Sequence, residues 1–151
     1  MKAVFVESYN GYMARNDKDD MKWTPSLDKK IFKLLTFALG GVCVCSEKTY
    51  KLLPPKILND GRKFVVAGRT QFNSLSALNK KYPDAVLVGG PTFLRAAYRL
   101  GVIDTFIVTT VYDEIKSTEE YKNPFTEILT KPVCSVALDG MAVRIYKGKQ
   151  R

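Results

Sequence analysis

The chain has no histidine, and this is the most restrictive fact in its composition. Its absence removes imidazole general bases, Ser-His-Asp and Cys-His nucleophiles, and zinc sites of mixed Cys/His type. Any proton transfer must rely on carboxylates, tyrosines, lysines or water, and no metal site is expected. Cysteine is also sparse, with three residues. Cys43 and Cys45 lie two apart in an apolar run and so share one strand face, while Cys134 is far away. An odd count without a framework predicts reduced, mostly packed thiols. No apolar run approaches the roughly 20 residues of a membrane span. The first apolar stretch breaks at Glu7, too early for a signal peptide, so the expectation is a cytoplasmic chain with no membrane contact.

Acidic residues are the minority charge, 15 against 24 basic ones, for a formal net charge of +9. The cations are scattered and not massed in one tract, and no aromatic-interleaved basic motif accompanies them. A solvated basic surface is the first reading, attraction of small anions such as nucleotide cofactors the second, and nucleic acid the third. At 151 residues with 46% apolar content, the chain is read as one domain, residues 1–151, able to bury a core without staples.

Strand-like and helix-like segments alternate. Val4-Phe5-Val6 ends at the turn signal Asn10-Gly11, and Val42 to Cys45 is a short buried strand. Ser46 caps a short helix that Pro54-Pro55 ends. Residues 63–67 form a strand, followed by a helix over about 71–80. Ala85 to Val88 is an apolar strand running into Gly89-Gly90-Pro91-Thr92 and a helix over 92–100 that stops at Gly101. Residues 105–111 are β-branched and strand-like, and Asp139-Gly140 marks a closing hairpin. Residues 113–132 carry no readable pattern. The order predicts an α/β fold: a mixed, mostly parallel sheet flanked by helices, with a C-terminal antiparallel hairpin. Ligands bind such sheets at the carboxyl ends of the strands.

Trp23-Thr24-Pro25-Ser26-Leu27-Asp28 opens a helix, with Pro25 in its first turn and Thr24 as its cap. Leu27, Ile31, Leu34, Leu35 and Ala38 recur at helical spacing and predict its buried stripe. Asp28 and Phe32, four apart, face one groove on its flank. Two readings of Asp28 stand: a first-turn acid that stabilises the helix dipole, or a carboxyl with a raised pKa that holds a flat, nitrogen-rich ligand and supplies protons. Two strand-to-helix junctions are candidate anion sites. One is Gly89-Gly90 with Thr92. The other is Ser46, Lys48 and Thr49, where Glu47 is unfavourable. Arg69 is a further cation at a strand exit.

Taken together, these residues resemble dihydrofolate reductase and its superfamily, which includes the pyrimidine reductases of riboflavin synthesis. The resemblance covers residues 2–112. It rests on Asn10-Gly11-Tyr12-Met13-Ala14, Met21-Lys22-Trp23, the Thr24 to Thr36 helix, Thr49-Tyr50, Arg62, Val88-Gly89-Gly90 and Gly101-Val102-Ile103-Asp104. The spacing of Trp23, Asp28, Phe32 and Thr36 is its most specific part. It implies reduction of 7,8-dihydrofolate to tetrahydrofolate by NADPH, a part in one-carbon metabolism, sensitivity to antifolates and a monomeric state. Asp28 would hold the amino-pyrimidine edge of the pterin and promote protonation of its ring nitrogen. Phe32, Val6 and Thr109 would also contact substrate, and Arg62 would pair with the glutamate α-carboxylate. Trp23 and Met21 would close over the site, and Trp23 is grouped with Asp28 as catalytic. Ala14, Met21, Ser46, Lys48, Thr49, Arg69, Gly89, Gly90 and Thr92 would contact the cofactor.

The chain departs from the family pattern. Ser46-Glu47 stands where Gly-Arg is usual, which disfavours the 2′-phosphate of NADPH and admits NADH, although Arg69 could replace the missing cation. Ala14 replaces a glycine, Lys22 a proline and Glu7 an apolar residue, and Pro91 stands where a third glycine is common. The short, lysine-rich chain is similar to phage-encoded relatives. Two alternatives stay open: a riboflavin-pathway-type reductase on the same fold, and an inactive binding or structural protein.

Overall fold

Runs of three to five apolar residues can be buried on both faces only inside a sheet covered on both sides. In the computed structural model, which describes residues 1–68 and 74–148, those runs form the centre of a seven-stranded sheet. Its strands are β1 (Lys2–Glu7), β2 (Val42–Ser46), β3 (Lys63–Ala67), β4 (Val86–Val88), β5 (Thr105–Val111), β6 (Cys134–Leu138) and β7 (Met141–Lys147). Across the sheet the order is β3-β2-β4-β1-β5-β7-β6. The first five are mutually parallel, and β7 then pairs antiparallel with both β5 and β6. This is the mixed sheet with a terminal hairpin that the sequence predicts. The hairpin turns at Gly140, whose φ of 72° lies in the left-handed region.

Alternation along the strands divides the core into two layers. Ala3, Phe5, Phe106 and Val108 face one side, together with Leu94 and Ala97 of α5 (Pro91–Arg99) and Leu78 of α4 (Leu75–Lys81). Val4, Cys43, Val86 and Ile107 face the other, against Phe32, Leu35 and Leu39 at α1 (Ser26–Ala38). Cys43 and Cys45 are fully buried, and desolvation pushes each thiol up to about 11, so both are packing residues; Cys134 is exposed. Between β2 and β3 come two short helices, α2 (Glu47–Leu52), capped by Ser46 as predicted, and α3 (Pro55–Leu58), which Pro55 initiates. Among the described residues no helix is long and apolar enough to cross a membrane.

Two expectations for α1 fail. Its inward face is Asp28, Phe32, Leu35, Thr36 and Leu39, whereas Leu34 is 69% exposed and Leu27 and Ala38 also face outward. The apolar stripe is therefore rotated by about one residue from the predicted one, because two of the inward positions are polar and a pattern of apolar residues skips them. Thr24 does not cap the helix either. Pro25 occupies the cap position without a side-chain bond, while the Thr24 hydroxyl donates back to the Met21 carbonyl at 2.8 Å.

Residues 113–132 hold one helical turn, Glu119–Tyr121, and pack by isolated anchors that no periodicity reports. Phe125 is buried in a ring cluster, 4.9 Å from Phe106 and 5.6 Å from Tyr98 between centroids. The Asn123 amide donates to Glu7 at 2.5 Å, and Thr110 donates to the same carboxylate at 3.2 Å. Glu7 stands at an otherwise apolar position because this segment supplies it with partners.

Candidate active site

Parallel register brings the carboxyl ends of five strands to one edge, in the order Ala67, Ser46, Val88, Glu7, Val111. Val6 and Thr109 are direct cross-strand partners there, on the layer that faces α1. Asp28, in the first turn of α1, reaches this point and lies beside the buried Thr109 hydroxyl. Burial pushes the Asp28 carboxyl above its usual range, and the Lys29 charge and the Thr109 hydroxyl only partly oppose that. Phe32 lies one turn further along the same face. An acid that is 9% exposed and held between a strand and a helix is a stronger feature than a dipole-stabilising surface residue.

Two turns beyond Asp28 on the same helix face, Thr36 accepts a hydrogen bond from Arg62 Nη1 at 3.0 Å. The rest of the guanidinium is turned to Asp60: Nε donates to both carboxylate oxygens at 3.1 Å, and Nη2 to Oδ2 at 2.5 Å. Hydrogen bonding by Arg62 holds the Asp60 carboxyl below the usual range. The rings of Phe32, Phe37 and Phe64 surround the guanidinium at 6.0, 5.7 and 5.3 Å. The family resemblance singled out Arg62 as a partner for a substrate carboxylate, but the sequence did not single out Asp60, whose adjacency to Gly61 reads as an ordinary turn.

The segment between β1 and α1 is organised by a second acid that the sequence did not single out. Asp19 accepts from the amides of Arg15 and Met21 at 2.6 and 2.9 Å and from the Trp23 indole at 2.8 Å. Burial raises the Asp19 carboxyl, but these bonds outweigh it and hold it low. Met21 sits at φ 60°. Its carbonyl accepts from the Thr24 amide and hydroxyl and from Lys29, which fastens the segment to the start of α1. Ala14 accepts from the Ser117 hydroxyl at 2.5 Å, and Met13 donates to the Tyr121 carbonyl at 2.8 Å. Asp17 ties the segment across to Lys48 at 2.6 Å and to the Tyr121 hydroxyl.

The two predicted anion sites fall on neighbouring strands, since Cys45 and Val88 are register partners. At the first, Ser46 accepts from the Thr49 amide and donates to its hydroxyl, both at 3.2 Å, while Lys48 is taken up by Asp17. At the second, Gly90 precedes α5 without a side-chain cap, and Pro91 occupies its first position. A Cβ on Gly90 would meet nothing within 4 Å, so the space above it is open. Gly89 is crowded instead: a Cβ there would stand 2.9 Å from Phe93 Cδ1. Thr92 is exposed. Arg69 lies outside the described residues.

No family model matches the sequence, and no curated protein matches it. A solved structure of dihydrofolate reductase from Enterococcus faecalis, complexed with NADP(H) and RAB-propyl, superposes with a TM-score of 0.71. The match covers 99% of this chain and 96% of that one, at 14% sequence identity. The chain has the dihydrofolate reductase fold. At that identity the likeness is one of fold alone.

Proposed function

We propose that the chain is an NADPH-dependent dihydrofolate reductase, acting as a cytoplasmic monomer and inhibited by antifolates. The observation that carries this reading is the buried Asp28 carboxyl, beside Thr109 and followed by Phe32, at the strand exits of a dihydrofolate reductase fold. Asp28 would bind the amino-pyrimidine edge of dihydrofolate and, with its pKa raised by burial, promote protonation of the ring nitrogen. Val6, Thr109 and Phe32 would line the same pocket. Trp23 and Met21, held by Asp19, would exclude water above it.

The open space at Gly90 and the uncapped start of α5 fit a dinucleotide, with Gly89, Thr92, Ser46, Thr49, Lys48 and Ala14 as further contacts. When bound, a reduced nicotinamide supplies the hydride. With the proton it balances the reaction: dihydrofolate, NADPH and H⁺ give tetrahydrofolate and NADP⁺. A phage source is part of the same reading and rests on chain length and lysine content alone.

The direct test mixes the protein with NADPH and dihydrofolate, with NADH in parallel, and follows loss of reduced-nicotinamide absorbance. Turnover blocked by an antifolate supports the reading. NADPH binding without turnover transfers the proposal to a riboflavin-pathway-type substrate, and loss of both leaves an inactive fold.

Two further outcomes are expected. Gly90→Ala should leave stability within about 0.5 kcal/mol of wild type while weakening NADPH binding. Gly89→Ala should lose about 1–3 kcal/mol, because Phe93 must move. Thermal melts and cofactor titrations read both, and unchanged NADPH affinity in Gly90→Ala would remove that residue from the cofactor contact. Glu47→Arg should tighten NADPH more than NADH; equal effects would place Glu47 away from the 2′-phosphate.

A further inference from the structure

Asp28 and Thr36 are eight residues apart on one face of α1, a separation of about 12 Å along the helix. A flat ligand held at Asp28 that extends past Phe32 would therefore bring its far end to Arg62, which is bonded to Thr36. A buried arginine at that point is suited to a carboxylate at the ligand's end. Asp60 already neutralises that guanidinium along its Nε–Nη2 edge. Nε and Nη2 donate to Asp60, and the Arg62 amide donates to the same carboxylate at 3.1 Å. The side chains are 4% and 10% exposed, so the two charges cancel inside the protein and not in solvent. The arrangement is built into three consecutive residues, because Gly61 at φ 102° turns the chain so that Asp60 faces Arg62.

We infer that Asp60 is a resident substitute for a ligand carboxylate, so that this site takes reduced pterins without reading a charged tail through Arg62. The inference rests on the proposed reductase function and narrows its substrate class. An incoming carboxylate gains no net positive partner at Arg62. It must displace Asp60, leaving that charge unpaired, or share the guanidinium with it against repulsion. Such a site is specified by the pterin ring at Asp28 and by apolar contact at Phe32, with the tail left undiscriminated.

The test compares dihydrofolate with its glutamate α-amide, which differs by one charge. Binding is followed by fluorescence of Trp23, the single tryptophan, and KM is measured alongside. Wild type should bind both with dissociation constants within about twofold of each other. Asp60→Asn, checked by thermal melting, should bind dihydrofolate about tenfold tighter while leaving the amide unchanged, as expected when one charge-assisted pair becomes available. A wild-type preference for dihydrofolate of about tenfold or more would overturn the inference, and that comparison needs no variant. If neither compound bound or turned over, the reductase reading itself would fall and take the inference with it. That result is recognisable because binding, and not only selectivity, is lost.

Discussion

Asp28→Asn is expected to lower turnover at neutral pH by about 10²–10⁴-fold, the usual contribution of a positioned proton donor. The same substitution should leave the protein as stable as wild type or more so. Burial raises the Asp28 pKa, so the folded state binds the proton more tightly than the unfolded chain does. Stability linked to this group is thus greatest below the unfolded value of about 4 and falls as pH rises through the folded value. Above that point the wild type carries a buried charge that Asn does not. The melting-temperature gap between variant and wild type should therefore open as pH rises from about 4 and then level off. Asn is nearly isosteric with Asp, so the local packing beside Thr109 survives. Rates should converge at acidic pH, where solvent supplies the proton. A variant that keeps wild-type turnover at neutral pH would remove Asp28 as proton donor, and one that melts lower at every pH would remove it as a destabilising buried charge.

Asp60→Ala should cost about 3 kcal/mol, near the lower end for breaking a buried ion pair, because it strands the Arg62 charge. For a chain of this size that corresponds to a fall in melting temperature of roughly 6–12 °C. The three surrounding rings and the Thr36 bond remain and keep the loss from being larger. Replacing both members, Asp60→Ala with Arg62→Met, should recover most of the loss, since an apolar pair of suitable volume needs no partner charge. A change below about 0.5 kcal/mol in the single variant would mean that water already solvates the pair. The bond from Arg62 also makes the pair acid-sensitive: its contribution is present above the unfolded carboxylate value and is lost as pH falls through the depressed value of Asp60.

The sheet was legible because its strands are bounded by glycine, proline and helical patterns, and those are local signals. So was the pairing of Asp28 with Phe32 on one helix face. The orientation of α1 was not, because its inward face carries Asp28 and Thr36 while Leu27 and Leu34 point outward. A helix that builds a polar site inverts the usual relation between apolar spacing and burial. The roles of Asp19 and Asp60 were hidden for a different reason. Each works through neighbours two to four residues away in an irregular turn, where composition resembles that of any solvated loop. Residues 113–132 act through single anchors, Asn123 and Phe125, that have no period to detect.

The bond from Asn123 to Glu7 spans 116 positions of the chain, and the pairing of Met13 with Tyr121 is nearly as long-range. On a ribosome, the segment between β1 and α1 emerges early but has no seat until the polypeptide has grown past residue 123. Long-range closures of this kind are slow and come late in folding. The parallel strands can assemble first, so a nascent chain would hold a nearly finished sheet with its crevice still uncovered. Ligand binding that seals the crevice would then act mainly on this last step, favouring completed molecules over partly synthesised ones.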